Sequence, residues 1–276
     1  MQSVKHPVVK LLLFLCLSAS LQADITVTQL ANEGVIISDG KTRIMIDGFV
    51  VEPYSVYGGL PADIIPQFEQ QSGAFADIDL ALASHRHHDH NQPRFACAFM
   101  QGSTATEFYS GSQVIGLMRE KCRQFMTTSP RVHEVSPQYE APESFQAGRA
   151  KIKVFPLSHG TRKYARIQNN GHLIELGGLT VLHVGDAAMD ATDYARAGID
   201  RVDIDVALIP FWYFQPGPGA EVIEKYINAR FKIAVHIPPG EMAEVKEYLQ
   251  QDFPQVMILE NPLDQAVFTA LAPPPH

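Results

Sequence analysis

A histidine-rich segment that directly follows an apolar run constrains the fold more than any other feature of this chain. Residues 80–90 read LALASHRHHDH. Side chains alternate along an extended segment, so His85 and His87 point to the same side and can reach one metal ion. Once the chain turns, Asp89 and His90 can reach a neighbouring point. Because imidazole and carboxylate groups are zinc ligands, the pattern predicts a buried strand that ends in a metal site rather than a solvated, histidine-rich loop.

The N-terminus has the pattern of a secretory signal peptide. Lys5 and Lys10 precede the apolar stretch 11–20, and the following LQA offers Ala23 as a cleavage position. The apolar stretch is shorter than the roughly 20 residues that a membrane span needs. We therefore expect residues 1–23 to be removed and the protein to be secreted, most simply into a bacterial periplasm.

Residues 24–276 have the length of one domain with a sizeable core. The net charge of the whole chain is −8. Removal of the signal peptide takes away two lysines and no acid, which leaves about −10. No run of basic residues stands out and no later stretch is apolar enough to span a membrane. We therefore expect a small-molecule substrate, no nucleic-acid partner and no stable membrane insertion.

Two cysteines, Cys97 and Cys122, remain after cleavage. An exported protein can form a disulfide, but two cysteines do not make a disulfide framework. We expect buried thiols, with a disulfide as the alternative.

Apolar and β-branched runs alternate with helical patterns along the rest of the chain. Strand patterns lie at 25–30, 34–38, 42–48, 77–84, 150–158, 172–176, 179–186, 202–210, 231–238 and 255–260. Helical patterns lie at 61–71, 111–126, 219–230 and 240–251. Strand-rich halves that each end in helices predict an α/β fold with two packed sheets and helices outside.

The H-x-H-x-D-H pattern resembles that of the metallo-β-lactamase-fold hydrolase superfamily. FPLSHG, LHVGDA and AVHIPP supply His159, Asp186 and His236 after apolar runs, in the order that the family uses. The resemblance covers essentially all of residues 24–276 and implies an αββα sandwich of two mixed β-sheets. It also implies one metal ion on His85, His87 and His159, a second on Asp89, His90 and His236, and Asp186 as the bridge between them.

Two other residues, Asp47 and His183, each have two possible interpretations. Asp47 precedes Gly48 and is either part of a hairpin turn or, by the resemblance, an aspartate that steadies the metal loop. His183 is either a hydrogen-bond donor behind the metal ligands or a plain interior residue. His88 lies on the alternate face of the motif and is not expected to bind metal.

Two divalent ions would supply a bridging hydroxide at neutral pH, so the expected reaction is hydrolysis without a covalent enzyme intermediate. Asp89 and Asp186 are the expected catalytic residues. Zinc is the default metal for this donor set, with manganese or iron as alternatives. The sequence contains no G-x-S-x-G motif that would indicate a serine nucleophile.

The resemblance also bears on the substrate. The position of Asp186 is usually cysteine or serine in the zinc β-lactamases, whereas aspartate is typical of dinuclear members that act on phosphodiesters, lactones and thioesters. The chain looks most like the branch with the ascorbate-phosphate lactonase and the N-acylethanolamine phospholipase-D-like enzymes. We therefore expect an ester, lactone or phosphodiester-type substrate. The alternatives are a β-lactamase and a non-catalytic periplasmic metal-binding protein. Candidate phosphate-binding residues are Arg86, Arg162, Lys163 and Arg166.

An aromatic run follows the strand pattern at 202–210. Residues 210–219 read PFWYFQPGPG, and the proline and glycine context indicates a loop. We predict that Trp212, Tyr213 and Phe214 form a pocket wall, with core packing as the alternative. Tyr54 and Tyr57 are candidates for a second flap.

Overall fold

Two mixed seven-stranded β-sheets form the centre of the protein in the computed structural model, which describes residues 23–270. The predicted signal peptide, apart from Ala23, lies outside the described residues. The strands of the first sheet are β1 (Ile25–Gln29), β2 (Val35–Ser38), β3 (Arg43–Ile46), β4 (Leu80–Ala83), β5 (Glu107–Gly111), β6 (Val132–Val135) and β14 (Gln265–Phe268). Their order is β14-β1-β2-β3-β4-β5-β6. Pairing is antiparallel from β14 to β3 and parallel from β3 to β6.

The second sheet is built from the middle and last thirds of the chain. Its strands are β7 (Glu143–Ala147), β8 (Ala150–Ser158), β9 (Gln168–Leu176), β10 (Leu179–His183), β11 (Val206–Pro210), β12 (Phe231–Val235) and β13 (Val256–Ile258). Their order is β13-β12-β11-β10-β9-β8-β7. Strands β10 to β13 run parallel, and β7 to β10 pair antiparallel.

Three hydrophobic layers hold the sheets and helices together. The α-helices are α1 (Ile65–Glu69), α2 (Pro93–Gly102), α3 (Ser112–Lys121), α4 (Arg123–Thr128), α5 (Ala191–Ala197), α6 (Gly219–Val222) and α7 (Met242–Asp252). One buried cluster, including Ile44, Val181 and Leu208, lies between the sheets. Two further clusters pack α1–α4 on the first sheet and α5–α7 on the second. The predicted αββα sandwich is therefore confirmed.

Local differences from the predicted elements have physical causes. The predicted helix 111–126 is two helices, broken at Cys122, whose φ of −135° and ψ of 53° are not helical. Cys122 forms a disulfide with Cys97, so the expected thiols are wrong. The predicted helix 219–230 contains α6 followed by a π-turn at Ile223–Ile227, and Asn228 ends it with a φ of 37°.

The hairpin interpretation of Asp47 is also wrong. β3 and β4 pair in parallel, so the chain leaves β3 through a long connection and not through a two-residue turn. Within residues 23–270, no helix is long and apolar enough to cross a membrane.

Candidate metal centre

Loops at one edge of the sandwich bring the predicted ligands together. His85 follows β4, His159 follows β8, Asp186 follows β10 and His236 follows β12. Most apolar residues of these strands are buried, and each predicted ligand comes just after a strand ends. The amides of His90 and Asn91 both donate to the carbonyl of His87, so the chain turns there as the sequence predicts.

The first donor group contains three histidines and one oxygen of Asp186. His87 Nδ1 lies 3.0 Å from His85 Nε2 and 3.1 Å from His159 Nε2. Asp186 Oδ2 lies 3.7 Å from His85 Nε2 and 3.5 Å from His159 Nε2. These four residues form a group that could hold a metal ion.

The second donor group faces the other oxygen of the same aspartate. Asp186 Oδ1 lies 3.2 Å from His90 Nε2 and 3.1 Å from His236 Nε2. The two imidazole nitrogens are 3.0 Å apart. Asp89 Oδ2 lies 3.4 Å from His236 Nε2 and 3.9 Å from His90 Nε2. The carboxylate of Asp186 therefore lies between the two groups.

The spacing of the donor atoms in both groups is suited to binding cations. Neutral imidazole nitrogens that bring their lone pairs to 3.0 Å repel each other unless a proton or a metal ion lies between them. Tetrahedral zinc, with bonds near 2.0–2.1 Å, holds its ligand atoms about 3.3 Å apart. The separations in both groups, from 3.0 to 3.9 Å, surround that value.

Asp47 and Ser84 orient one histidine of each group. A carboxylate can only accept, so His90 Nδ1 donates to Asp47 Oδ2 at 2.8 Å. The Ser84 hydroxyl donates to the same oxygen at 2.6 Å, and its own oxygen lies 3.0 Å from His85 Nδ1. The Nε2 lone pairs of His85 and His90 are thereby directed at the metal positions. No pattern in the sequence singles out Ser84, because a serine after a strand carries no distinct signal.

The two groups differ in electrostatics. Burial, followed by the neighbouring histidines, lowers the pKa of His85 well below its usual value and also lowers that of His87. Burial opposes the charged form of His90 and His236 as well, but Asp186 together with Asp47 at His90, and Asp186 together with Asp89 at His236, outweighs it. The pKa of His90 is well above its usual value, and that of His236 is raised to about 9. Burial also acts against ionised Asp186, but His236 and His90 hold its pKa well below its usual value.

Glu33, which no sequence pattern singled out, joins His90, Asp186 and His236 in a second group of residues that could hold a metal ion. It is fully buried, and neither carboxylate oxygen has a hydrogen-bond partner among the described residues. Its oxygens lie 3.7 Å from His90 Nδ1 and 3.6 Å from His183 Nε2. Burial raises its pKa well above the usual value. His183 is buried too, and it contacts Glu33 rather than a predicted ligand. In the sequence, Glu33 stands in a short turn between two strands, where a glutamate is ordinarily exposed.

A cavity of about 530 Å³ opens onto the donor groups. Its wall includes Tyr54, Tyr57, Tyr164 and Trp212, together with His87, Asp89, His159 and Asp186. Tyr54 and Tyr57, the candidates for a second flap, pair with each other across a short turn at the cavity. His88 is exposed and contacts Tyr54, with 5.2 Å between the ring centroids.

Of the three residues predicted to form an aromatic wall, Trp212 alone lines this cavity. Tyr213 and Phe214 are 0% and 2% exposed and lie in the core of the second sheet. The Tyr213 hydroxyl donates to the carbonyl of Ala187 at 2.8 Å, and Phe214 packs on Phe253. The short 3₁₀ helix at Phe211–Phe214 turns successive side chains in different directions, so the run cannot face one cavity.

Comparisons with known proteins agree with this fold. The sequence matches the family described as the beta-lactamase superfamily domain over residues 26–236. A search of curated proteins found no match. Among solved structures, Igni18, a metallo hydrolase from Ignicoccus hospitalis, is 17% identical, with a TM-score of 0.58 over 89% of this chain and 99% of that one.

Two further structures share the fold. YhfI, a metallo-beta-lactamase fold protein from Bacillus subtilis, is 17% identical, with a TM-score of 0.58 over 89% of this chain and 100% of that one. CmlA, a diiron beta-hydroxylase from Streptomyces venezuelae, is 15% identical, with a TM-score of 0.54 over 90% of this chain and 54% of that one. Because the family match spans most of the sequence, this chain belongs to the metallo-β-lactamase-fold superfamily of metallohydrolases.

Proposed function

We propose that this protein is an exported hydrolase that binds two divalent metal ions and cleaves an uncharged ester or lactone. The observation that carries the proposal is the position of Asp186, whose Oδ2 faces one donor group and whose Oδ1 faces the other. A protein that only stores or delivers metal has no need of a carboxylate shared between two ions beside an open cavity.

The proposed ligands are those that the resemblance implies. His85, His87 and His159 would hold the first ion, and Asp89, His90 and His236 the second, with Asp186 shared. Zinc is the default for these donors, and manganese or iron are the alternatives. Bound ions would lower the pKa of a water molecule to near 7 and polarise the bond under attack.

The residues of the chain itself have separate tasks in this proposal. Asp47 and Ser84 hold the Nδ1 atoms of His90 and His85, so that the Nε2 atom of each ring, when neutral, faces a metal position. Asp89 lies in the cavity wall. Burial opposes its ionised form, but hydrogen bonding to His236 and the charges of His90 and His236 together lower its pKa. An ionised carboxylate at that position can accept a proton from the attacking group.

The cavity supports an uncharged substrate. No lysine or arginine is found among its lining residues in the described part of the chain, so Arg86, Arg162, Lys163 and Arg166 do not form a phosphate clamp there. Aromatic side chains instead provide flat apolar surface for a ring or an acyl group. These features favour a lactone or carboxylic ester over a phosphodiester.

Export is supported by two independent features. The N-terminal pattern is that of a signal peptide, although it falls on residues outside the described range. The Cys97–Cys122 disulfide is the kind of cross-link that persists in oxidising compartments such as the periplasm.

The proposal is tested with the purified chain after residue 23. Lactones, carboxylic esters, thioesters, phosphodiesters and β-lactams are offered before and after chelation, with zinc then restored. We expect metal-dependent hydrolysis of a lactone or carboxylic ester. Activity confined to phosphodiesters or β-lactams would overturn the substrate class, and metal binding without any turnover would favour the non-catalytic alternative.

A further inference from the structure

We propose that Tyr57 and Trp212 act as an aromatic clamp that positions His236 for the second metal ion. The proposal rests on the two-metal function above and assigns a task to two cavity-wall residues. In it, the wall that receives substrate also supports one metal ligand.

His236 lacks the Nδ1 anchor that His85 and His90 have, as does His159. His90 and His85 are held through their Nδ1 atoms by Asp47 and Ser84. Nδ1 of His236 is buried, and no described residue hydrogen-bonds it. Most metal-binding histidines donate that second nitrogen to a carboxylate, a carbonyl or water, so the orientation of this ring needs another source.

The backbone of His236 is also strained. Its φ is +63°, in the left-handed region that non-glycine residues rarely adopt. Its amide is 3.4 Å from the carbonyl of Asn32, which is a long hydrogen bond. Such a conformation persists only where the surroundings hold it in place.

Two aromatic rings supply those surroundings. The ring centroid of Tyr57 lies 4.5 Å from that of His236, with an interplanar angle of 87°. The centroid of Trp212 lies 4.9 Å away, with an angle of 72°. Both are edge-to-face contacts, which favour one relative orientation of the rings. Because His236 is 1% exposed and bordered by both rings, rotation away from Asp186 requires one of them to move.

Metal titration of the chelated, full mature chain tests the clamp. Tyr57→Ala and Trp212→Ala should each lower the affinity for the second zinc ion by about tenfold or more, as loss of a ligand-supporting contact typically does. The affinity for the first zinc ion should stay unchanged. Tyr57→Phe keeps the aromatic ring and should bind the second zinc ion with the affinity of the wild type. Tyr164→Ala is the matched control, since Tyr164 lines the same cavity but packs on His87 and His159.

The chain has a single tryptophan, so Trp212 fluorescence should change with the second zinc equivalent and not with the first. Folded alanine variants that bind both ions like the wild type would overturn the clamp. If the wild type binds only one ion, the two-metal function is wrong. The clamp is then tested on its own by NMR of the metal-free protein. There, Tyr57→Ala and Trp212→Ala should broaden or split the NMR signals of the His236 ring, because the ring then adopts more than one orientation, and Tyr164→Ala should not. One sharp set of His236 signals in the first two variants would overturn the clamp.

Discussion

The two halves of the metal centre share Asp186 but hold their histidines by different means. In the first half, His85 is fixed through Ser84, and the pKa values of His85 and His87 are lowered, so these rings are neutral at pH 7. In the second half, His90 is fixed by Asp47, His236 sits on strained backbone between aromatic rings, and both pKa values are raised. The first position is therefore ready for a cation, whereas the second must release protons before it can bind one.

Removing the negative charge of Asp186, which the two halves share, should have the largest effect on the metal centre. Asp186→Asn keeps the shape of the side chain but loses the negative charge between two cations, whose repulsion is strong at the separations found in two-metal sites. We expect hydrolysis to fall by orders of magnitude and the second ion to be lost first. Steady-state rates and metal content measure the two effects. His88→Ala is the control, because His88 is exposed in the same loop. Loss of both ions in the control but not in Asp186→Asn would mean that the ligands are misassigned.

The pH dependence of metal binding should separate the halves. His236 keeps its proton up to a pKa of about 9, so the apparent affinity for the second ion should rise about tenfold per pH unit for each proton released, up to that pH. The first ion should gain little above pH 7, because the pKa values of His85 and His87 lie below their usual range. Zinc titrations between pH 6 and 9.5 measure both slopes, and equal slopes would contradict the distinction.

The raised pKa of His236 also affects the stability of the metal-free protein. A histidine whose pKa is raised on folding stabilises the folded state fully below its unfolded pKa and loses that contribution as the pH rises through the folded value. The contribution of His236 should therefore disappear between about pH 6.5 and 9.

Asp47 supports histidines in both halves of the metal centre, directly in one and through Ser84 in the other. Asp47→Asn weakens the acceptor of His90 and Ser84, and Ser84 in turn contacts His85. We expect both ions to bind about 10- to 100-fold more weakly, which is the usual effect of removing such a partner. Calorimetric titration of each ion gives the affinities, and an effect limited to one ion would show that the two anchors are independent.

The smallest effect is expected outside the centre. Tyr213→Phe removes the hydroxyl that hydrogen-bonds the carbonyl of Ala187 and the buried hydroxyl of Tyr194, and should lower the free energy of unfolding by about 1–3 kcal/mol. Both metal affinities should stay as in the wild type, because Tyr213 lies in the core behind the cavity wall. Urea unfolding and zinc titration measure these quantities, and loss of a metal ion would assign Tyr213 to the centre.

The sequence was informative where a local pattern determines the structure. A ligand at the end of an apolar strand, such as His85 or Asp186, can be located because burial of the strand determines where its polar end emerges. Glu33 could not be found, because its burial depends on His90 and His183, which are distant in sequence. The disulfide was not predictable for the same reason, since it depends on how the segments that carry Cys97 and Cys122 pack on the first sheet.

The count of bound metal ions tests the central claim most directly. Chelated mature protein is saturated with zinc, freed of excess metal, and analysed for zinc per chain by elemental analysis. The arrangement of the two donor groups around Asp186 predicts two ions per chain, with the second bound more weakly at pH 7 than at pH 9. No more than one ion per chain at saturating zinc would contradict the two-metal account.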